Sequence, residues 1–329
     1  MIRVAVVGAG AWGMNHVRTM NQVRGARLVM VCDAVADTRE KVRAGFPGIR
    51  VEQDVAEALA SPDVDAVVLA TPAKMHAEQA RAALLAGKHV FVEKPLALNG
   101  AEARAVVETA EAQGRILMVG HLMLYHPAVR RLRELLTAGE LGELRYLYAV
   151  RVNLGKVRED ENALWSLAPH DLSMMDYLVG GAPASVSARG GAYVRGGIAD
   201  VVFLNLVYPS GAMAQIQVSW MDPHKERRIT LVGSRKMAEF DDGHPTEKLR
   251  LFDKGVEGGG GTPVRLRDNG MTLIEVPTEA PLHRECAEFI QCIEENRRPL
   301  TDGASALRVV RVLEAAQASL ENNGVPVEL

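Results

Sequence analysis

Short apolar runs alternate with amphipathic stretches over the first 120 residues of the chain. The apolar runs, each ending at a turn-forming or charged residue, lie at residues 2–7, 28–32, 64–70, 90–92 and 116–120. The amphipathic stretches between them lie at about residues 14–22, 74–85 and 100–112. Short, predominantly apolar runs are typical of strands buried on both faces, and strands that alternate with helices form a parallel sheet. Residues 1–120 are therefore predicted to form an α/β domain.

The pattern changes after residue 120, where strand-like segments follow one another with few helices between them. The segments predicted to be strands are residues 144–152, 201–207, 212–220 and 228–233. Consecutive strands favour antiparallel pairing, so residues 121–329 are predicted to form an α+β domain with a large, mainly antiparallel open sheet. Helices are predicted at about residues 128–138, 282–295 and 303–321, and the last two can pack back on the first domain.

The segment Val201–Val207 is apolar on both faces, so both faces of its strand need cover. Helices can cover one face, and a second copy of the chain can cover the other. We therefore predict a homodimer or homotetramer formed through this sheet. The glycine-dense segment 255–261 is predicted to be a flexible hairpin loop, because no strand–helix context surrounds it.

Composition places the chain among ordinary soluble globular proteins. Of its 329 residues 48% are hydrophobic and 24% charged, the formal net charge is −3, and no tract is rich in lysine and arginine. Nucleic acid and anionic membranes are therefore not expected as partners. No apolar stretch is long enough to span a bilayer, and no signal peptide is expected, because a strand-like run starts at Ile2. The three cysteines form neither a disulfide framework nor a CxxC pair, so a cytoplasmic location is predicted and no metal is expected.

The first predicted strand is followed by Gly8-Ala9-Gly10-Ala11-Trp12-Gly13 and then by a predicted helix. In a GxGxxG turn the first glycine permits the turn, the second lets the backbone approach a pyrophosphate, and the third allows close packing of helix on strand. The N–H groups at the start of the helix can then bind the phosphate. This context predicts a dinucleotide site, although a GxGxxG pattern alone also occurs in plain turns.

The second predicted strand ends in Asp33, twenty residues after Gly13. An acid at this place can accept hydrogen bonds from the hydroxyl groups of an adenosine ribose. Its charge would repel a 2′-phosphate, and Ala34 offers no arginine to bind one, so NAD is favoured over NADP. Arg39 is close enough in sequence to weaken that preference.

Two further strands of the first domain end beside residues that can carry chemistry. One runs directly into Glu93-Lys94-Pro95, and ligands bind at the carboxyl ends of the strands in open α/β sheets. Lys94 is therefore a candidate functional residue, although a solvated loop lysine fits the spacing equally well. The other strand stops at Thr71-Pro72, and His76 on the following helix is interpreted as a packing or cofactor-side residue rather than a catalytic one.

A second cluster of candidates lies in the segment Trp165–Asp171. Proline fits the start of a helix, so Pro169 is predicted to begin one, with His170 and Asp171 on its first turn. An imidazole, with an ordinary pKa of about 6.5, suits the removal of a hydroxyl proton near neutral pH. For Asp171 we prefer an interaction with the helix dipole over direct catalysis.

Taken together, these motifs resemble the Gfo/Idh/MocA oxidoreductases. The matching segments are the glycine turn 8–13, Thr71-Pro72, the string AGKHVFVEKP at residues 86–95, His170, and residues 299–303. The AGKHVxxEKP string is highly specific, and the resemblance covers essentially the whole chain. It implies an N-terminal Rossmann domain, a C-terminal domain that binds a sugar or cyclitol and often forms the oligomer interface, and nicotinamide-dependent oxidation or reduction of a secondary alcohol.

The resemblance also implies roles for individual residues. Lys94 would act at the reacting oxygen and contact the nicotinamide ribose, and His170 would serve as the acid/base. The residues expected at the cofactor are Gly8, Ala9, Gly10, Ala11, Trp12, Gly13, Asp33, Thr71, Pro72, His76, Glu93 and Lys94. Those expected at the substrate are Lys94, Tyr125, Asn153, Lys156, Arg158, Trp165, His170 and Asp171. Lys156 and Arg158 would suit a diphosphate or a carboxylate, with a solvated basic loop as the alternative.

One position departs from the family pattern. Many members carry an aspartate four residues before the histidine, whereas this chain has Ser166, which cannot hold a charge near neutral pH. His170 and Lys94 would then carry the acid–base work at one hydroxyl. The segments 153–158 and 164–171 resemble members that act on nucleotide-linked sugars, with the 3-dehydrogenases of UDP-N-acetylglucosaminuronate as the nearest comparison. The alternatives are an inositol or free-sugar dehydrogenase and a nicotinamide-binding sensor without turnover.

Overall fold

The computed structural model describes residues 1–159, 161–259 and 262–329, and the chain divides into two compact units. The first unit comprises Met1–Tyr125 and Glu279–Val310. The second comprises His126–Thr278 and Arg311–Leu329. A segment from near the end of the chain therefore belongs to the same unit as the N-terminal alternating region.

Residues 1–125, all of them described, alternate between strands and helices as the hydrophobic pattern predicts. In chain order the elements are β1 (Ile2–Val7), α1 (Gly13–Met20), β2 (Ala26–Cys32), α2 (Ala36–Gly45), β3 (Arg50–Glu52), α3 (Val55–Ala60), β4 (Ala66–Leu69), α4 (His76–Leu85), β5 (His89–Glu93), α5 (Gly100–Ala112) and β6 (Leu117–Gly120). Short 3₁₀ turns at Ala73–Met75 and Leu122–Tyr125 precede α4 and follow β6.

The remainder of the chain is dominated by strands. In chain order its elements are α6 (Pro127–Thr137), β7 (Leu144–Val152), α7 (Ala163–Met175), β8 (Ser185–Gly191), β9 (Val201–Val207), β10 (Met213–Ser219), β11 (Glu226–Gly233), β12 (Met237–Asp241), β13 (Leu249–Gly259), β14 (Thr262–Ile274), α8 (Pro281–Glu295), α9 (Gly303–Glu321) and β15 (Val327–Glu328). Of the helices in the described ranges, none has the length and apolar character needed to cross a membrane.

The first unit is built on a parallel sheet with the strand order β3-β2-β1-β4-β5-β6. Strands β1, β4, β5 and β6 are almost wholly buried, and apolar clusters lie on both faces of the sheet. Helix α8 adds Cys286, Phe289 and Ile290 to one of these clusters. The strand order reverses between β1 and β4, and ligands bind at the carboxyl edge of such a reversal. The predicted α/β domain of Rossmann type is confirmed.

The second unit is built on a sheet with the order β14-β13-β12-β11-β7-β10-β9-β8-β15, as far as the described ranges show it. Strands β7 and β10 are parallel, and the other pairs are antiparallel. Along β9 buried and exposed residues alternate, so one face of the sheet packs inward and the other is open. The predicted mainly antiparallel open sheet is confirmed.

Two local predictions are wrong. Helix α7 begins at Ala163 and not at Pro169, because Asn162 caps it through a hydrogen bond from the Trp165 N–H to its side-chain oxygen. Residues 255–259 are part of strand β13, and not of a loop, because they pair with β14. The last two residues of the predicted glycine loop, 260 and 261, lie outside the described residues.

Candidate active site

The glycine turn after β1 has the geometry that a bound diphosphate requires. Gly8 has φ +84°, and a Cβ there would come within 2.8 Å of the Ala70 carbonyl carbon. A Cβ on Gly13 would overlap the Gly8 carbonyl oxygen, so α1 can pack this closely only with glycine. A Cβ on Gly10 would meet no atom within 4 Å, so the backbone is open to a ligand there. The residues present therefore fit a dinucleotide.

Asp33 holds its carboxylate against the same turn. One oxygen accepts the Ala9 backbone N–H at 2.7 Å, and the other accepts the Val35 N–H at 2.8 Å. Arg39 lies beside it, because its Nη1 donates to the carbonyl oxygens of Asp33 and Ala34 at 2.8 and 2.9 Å. The end of β2 therefore presents a fixed carboxylate with a guanidinium next to it.

His76 links the two loops that follow β4 and β5. Its ring nitrogens lie 2.7 Å from the Pro95 carbonyl oxygen and 2.8 Å from the Thr71 carbonyl oxygen. The side chain is buried, and Thr71 also donates its hydroxyl to Gln79 at 2.6 Å. His76 therefore fixes the position of the loop that carries Lys94.

Glu93 is the most heavily bonded side chain at this edge of the sheet. Its Oε1 accepts from Trp12 Nε1 at 2.6 Å and lies 2.7 Å from His16 Nε2. The backbone N–H of Lys94 donates to Glu93 Oε2 at 3.3 Å. Burial acts to raise the pKa of Glu93, but His16, Trp12 and the charge of Lys94 outweigh it and hold the pKa below its ordinary value. Glu93 is therefore a buried carboxylate adjoining the candidate lysine.

The sequence interpretation did not identify His16 as part of this site. Trp12 and His16 stand four residues apart at the start of α1, on one face of the helix. That spacing, beside a strand that ends in an acid, is the sequence signal that could have identified His16. The predicted contacts of Trp12 and Glu93 with the cofactor stay predictions, and the structure adds that the two side chains bond each other.

In the second unit His170 lies in the interior of α7, and Pro169 precedes it within the same helix. Asp171 is buried and accepts two hydrogen bonds from Arg151 of β7, at 2.7 Å from Nε and 3.0 Å from Nη2. This bidentate pair anchors α7 to the sheet beside His170. Because Asp171 is wholly engaged there, we leave it out of the proposed substrate contacts.

The other predicted substrate residues differ in exposure. Tyr125 is 1% exposed in the core of the first unit and lies 3.3 Å from the Thr301 hydroxyl, so it too is left out. Asn153, Lys156 and Arg158 lie together on the segment between β7 and α7. Lys156 is exposed, and Arg158 lies 3.6 Å from Glu161 with 46% of its side chain exposed.

Trp165 is half-buried near the start of α7. Its backbone N–H makes the capping bond described above. The indole stays a predicted substrate contact.

The parallel sheet, the open glycine turn and the carboxylate at the end of β2 define a dinucleotide-binding oxidoreductase. The oxidoreductase family model with an NAD-binding Rossmann fold matches residues 2–121, and the GFO/IDH/MocA C-terminal domain model matches residues 129–239. The chain belongs to the Gfo/Idh/MocA family of oxidoreductases. It is a dehydrogenase of the kind that acts on hydroxyl groups of sugars or related substrates.

Three relatives illustrate the range of the family around this chain. The 4-carboxy-2-hydroxymuconate-6-semialdehyde dehydrogenase of a Sphingobium species is 30% identical over 98% of this chain and 100% of its own length. The structure of UDP-N-acetylglucosamine 3-dehydrogenase from Acidithiobacillus ferrooxidans superposes with a TM-score of 0.84 at 29% identity, covering 98% of both chains. The inositol 2-dehydrogenase of Mycolicibacterium smegmatis is 41% identical over 46% of this chain and 45% of its own.

Proposed function

We propose that the enzyme transfers a hydride between a nicotinamide cofactor and a ring carbon that bears a secondary hydroxyl on a nucleotide-linked sugar. The observation that carries this proposal is the full-length likeness, in fold and sequence, to a UDP-N-acetylglucosamine 3-dehydrogenase. Lys156 and Arg158 support it, because an exposed ammonium and guanidinium suit the diphosphate of a sugar nucleotide, although acids follow Arg158 and Glu161 lies 3.6 Å from it. The substrate class is thus UDP-N-acetylglucosamine or its uronate.

Two side chains are proposed to manage the proton. The nicotinamide, when bound, supplies the hydride chemistry. In the oxidation direction His170 takes the hydroxyl proton, and Lys94 donates a hydrogen bond to the same oxygen and stabilises its developing negative charge. Lys94 is supported by its place after β5 and by the adjoining carboxylate of Glu93. His170 is supported by the anchoring of its helix through Asp171 and Arg151.

The proposed cofactor is NAD, with NADP the weaker ligand. The Asp33 carboxylate is fixed at the end of β2, where it can accept from ribose hydroxyls and would repel a 2′-phosphate. Arg39 donates from Nη1 to two backbone carbonyl oxygens beside this carboxylate, and a guanidinium there weakens the preference for NAD. The proposal of NAD therefore depends on the Asp33 carboxylate.

A second candidate substrate is a small carboxylated molecule. The Sphingobium relative, whose substrate name includes a carboxy group and a semialdehyde, matches this chain from end to end. Lys156 and Arg158 would serve a carboxylate as well as a diphosphate. An inositol or free sugar is the third, supported by the inositol dehydrogenase, which is similar over less than half of the chain.

The experiment that tests the proposal follows reduced-nicotinamide absorbance with a panel of substrates and with NAD and NADP in parallel. The panel contains UDP-N-acetylglucosamine, its uronate, myo-inositol, a free aldose and a carboxylated semialdehyde. We expect the highest kcat/KM with a UDP-sugar and NAD, and calorimetric heat with UDP alone. Turnover confined to myo-inositol or to the semialdehyde, without heat from UDP, would overturn the nucleotide-sugar assignment.

We further propose that the open face of the second unit's sheet packs against a second copy of the chain. Tyr146, Phe203, Val207 and Met213 are between 42% and 58% exposed on this face. Met213 pairs with Val207 on one neighbouring strand and with Tyr146 on the other, so the side chains form one patch. Asn205, Gln215 and Gln217 interleave with it without adding charge, and exposed Arg189 borders it beside Phe203. A mainly uncharged patch suits contact with an identical surface.

The cytoplasmic location stays a prediction, and Cys32, Cys286 and Cys292 are buried free thiols.

Replacing Met213 by arginine is expected to reduce the size of the assembly, because it places a charge at the centre of the apolar patch. Size-exclusion chromatography with light scattering measures the mass of each species. Leu85→Arg, at an exposed apolar position on α4 in the first unit, is the matched control and should keep the wild-type mass. A wild-type monomer at micromolar concentration, or an unchanged mass for Met213→Arg, would contradict the proposed interface.

A further inference from the structure

Glu285 of α8 is a buried carboxyl group that the described part of the chain leaves without a hydrogen-bond partner. Its side chain is 0% exposed, and both carboxyl oxygens lack a bonded neighbour among the described residues. A charge in such a place is costly, whereas a neutral acid is tolerated. Burial and the charge of Glu93 together raise the pKa of Glu285 well above its ordinary value. The Glu285 carboxyl group therefore holds its proton more tightly than an exposed glutamate does.

The groups around Glu93 form a cluster within the first unit. His16 of α1 lies 2.7 Å from Glu93 and 3.8 Å from the Cys286 thiol through its other ring nitrogen. An imidazole with its proton on Nε2 can donate to Glu93 and accept from the thiol, whose own pKa burial raises. His121, at the end of β6, is 2% exposed, and neither ring nitrogen has a bonded partner among the described residues.

His121 adds no positive charge to this cluster near neutral pH. Burial lowers its pKa to about 4, the charge of Glu93 opposes that shift, and the charge of Lys94 adds to it. Gly120 completes the arrangement, since a Cβ there would come within 2.9 Å of the Glu93 carboxylate. Within the described residues no three such side chains are arranged to hold a metal ion. The Glu93 carboxylate therefore lies between His16 of α1 and the neighbouring Lys94.

We propose that Glu93 and Glu285 hold one proton between them in the folded protein, and that the single negative charge left on Glu93 keeps Lys94 protonated. Glu285 precedes Cys286, whose thiol lies 3.8 Å from His16, and His16 lies 2.7 Å from Glu93. Two carboxyl groups buried in one cluster do not readily both ionise, so one stays neutral. Glu93, bonded to Trp12 and His16, is the one stabilised as an anion, and Glu285 is the neutral one. Glu93 and Glu285 are positioning residues, because they act through the charge of Lys94. The importance of that charge rests on the proposed function.

The first test follows thermal unfolding of the substrate-free enzyme between about pH 5 and pH 8. A carboxyl group whose pKa is raised by folding stabilises the protein below its unfolded pKa of about 4.3, and this stabilisation is lost as the pH rises towards the folded pKa. Glu285→Gln cannot titrate, so its Tm relative to the wild type should rise steadily across the range. Glu285→Met should give the same trend if the glutamine variant folds poorly.

The matched control is Glu294→Gln, an exposed position on the same helix, whose Tm should track the wild type at every pH. A pH-independent difference in Tm between wild type and both Glu285 variants would overturn the shared proton. This result needs no turnover, so it is independent of whether the proposed function is correct.

The second test measures the pH dependence of kcat/KM for Glu93→Gln, which keeps a hydrogen-bond acceptor and removes the charge. Loss of a neighbouring anion lowers the pKa of an ammonium, so the alkaline limb should move to lower pH by about one unit or more. Glu294→Gln should leave the limb in place. An unchanged alkaline limb in the kcat/KM profile of Glu93→Gln would overturn the proposed effect of Glu93 on Lys94. Normal turnover of Lys94→Ala would instead overturn the proposed function.

Discussion

Lys94→Ala and His170→Ala are each expected to lower kcat by about 10²–10⁴-fold while the enzyme continues to bind NADH. Each variant removes a group proposed to move a proton or to stabilise charge on the reacting oxygen, and such groups typically contribute this much. The glycine turn and Asp33, which are predicted to bind the dinucleotide, are unchanged in both variants. Steady-state turnover and NADH fluorescence titration measure the two quantities separately.

Two exposed positions supply matched controls for these variants. Lys41→Ala on α2 and His224→Ala between β10 and β11 remove the same side-chain types from the surface, and both should keep wild-type turnover. Turnover of Lys94→Ala or His170→Ala within about threefold of the wild type, with a substrate found in the panel, would refute the assigned roles.

Asp171→Asn is expected to lower the free energy of unfolding by about 3–5 kcal/mol, because it leaves the Arg151 guanidinium buried without its counter-charge. The side chains of Arg151 and Asp171 are 8% and 1% exposed, and their two hydrogen bonds join β7 to α7. The double variant Arg151→Met with Asp171→Leu removes both charges and should recover most of this loss. Urea titrations followed by circular dichroism give the three free energies.

The control for this prediction is Glu134→Gln, which breaks an exposed pair with Arg131 on α6 in the same unit. An exposed pair contributes less than about 1 kcal/mol, so this variant should unfold close to the wild type. A loss below about 1 kcal/mol for Asp171→Asn would show that the buried pair does not anchor α7. The kcat of the double variant, compared with that of the wild type, then shows whether the position of His170 depends on the Arg151–Asp171 pair.

Local patterns located five of the six strands of the first unit's sheet, and they missed α2, β3 and α3. The apolar strand, the glycine turn and the following helix are consecutive in sequence, and nearby backbone atoms supply a steric reason for Gly8 and Gly13. The strand that ends in Glu93-Lys94-Pro95 is buried throughout, as its apolar run predicted. The same reasoning failed for β13 and β14, because many of their residues are exposed and polar and lack a clear apolar alternation.

The helix that carries His170 shows why a residue preference can mislead. Proline is common at the start of a helix, and that statistic placed the start at Pro169. The structure begins the helix six residues earlier, where Asn162 caps it and the Ala163 N–H donates to the Ala199 carbonyl oxygen at 2.9 Å. The cap at Asn162 and the hydrogen bond to a distant segment therefore outweighed the preference of proline for a helix start. Asp171 could not be recognised as an ion-pair partner because Arg151 lies on another element.

The sequence by itself determined the alternating order of strands and helices, the dinucleotide turn and the family, since each depends on residues that are neighbours along the chain. Only the tertiary structure decided which distant side chains surround those motifs. Glu285 reaches the cluster at Glu93 because α8 packs beside α1, and Asp171 meets Arg151 because α7 packs on β7. The protonation of the Glu93 cluster and the anchoring of α7 depend on burial and on contacts between segments that are far apart in the sequence. The hydrophobic periodicity of the chain does not encode such contacts.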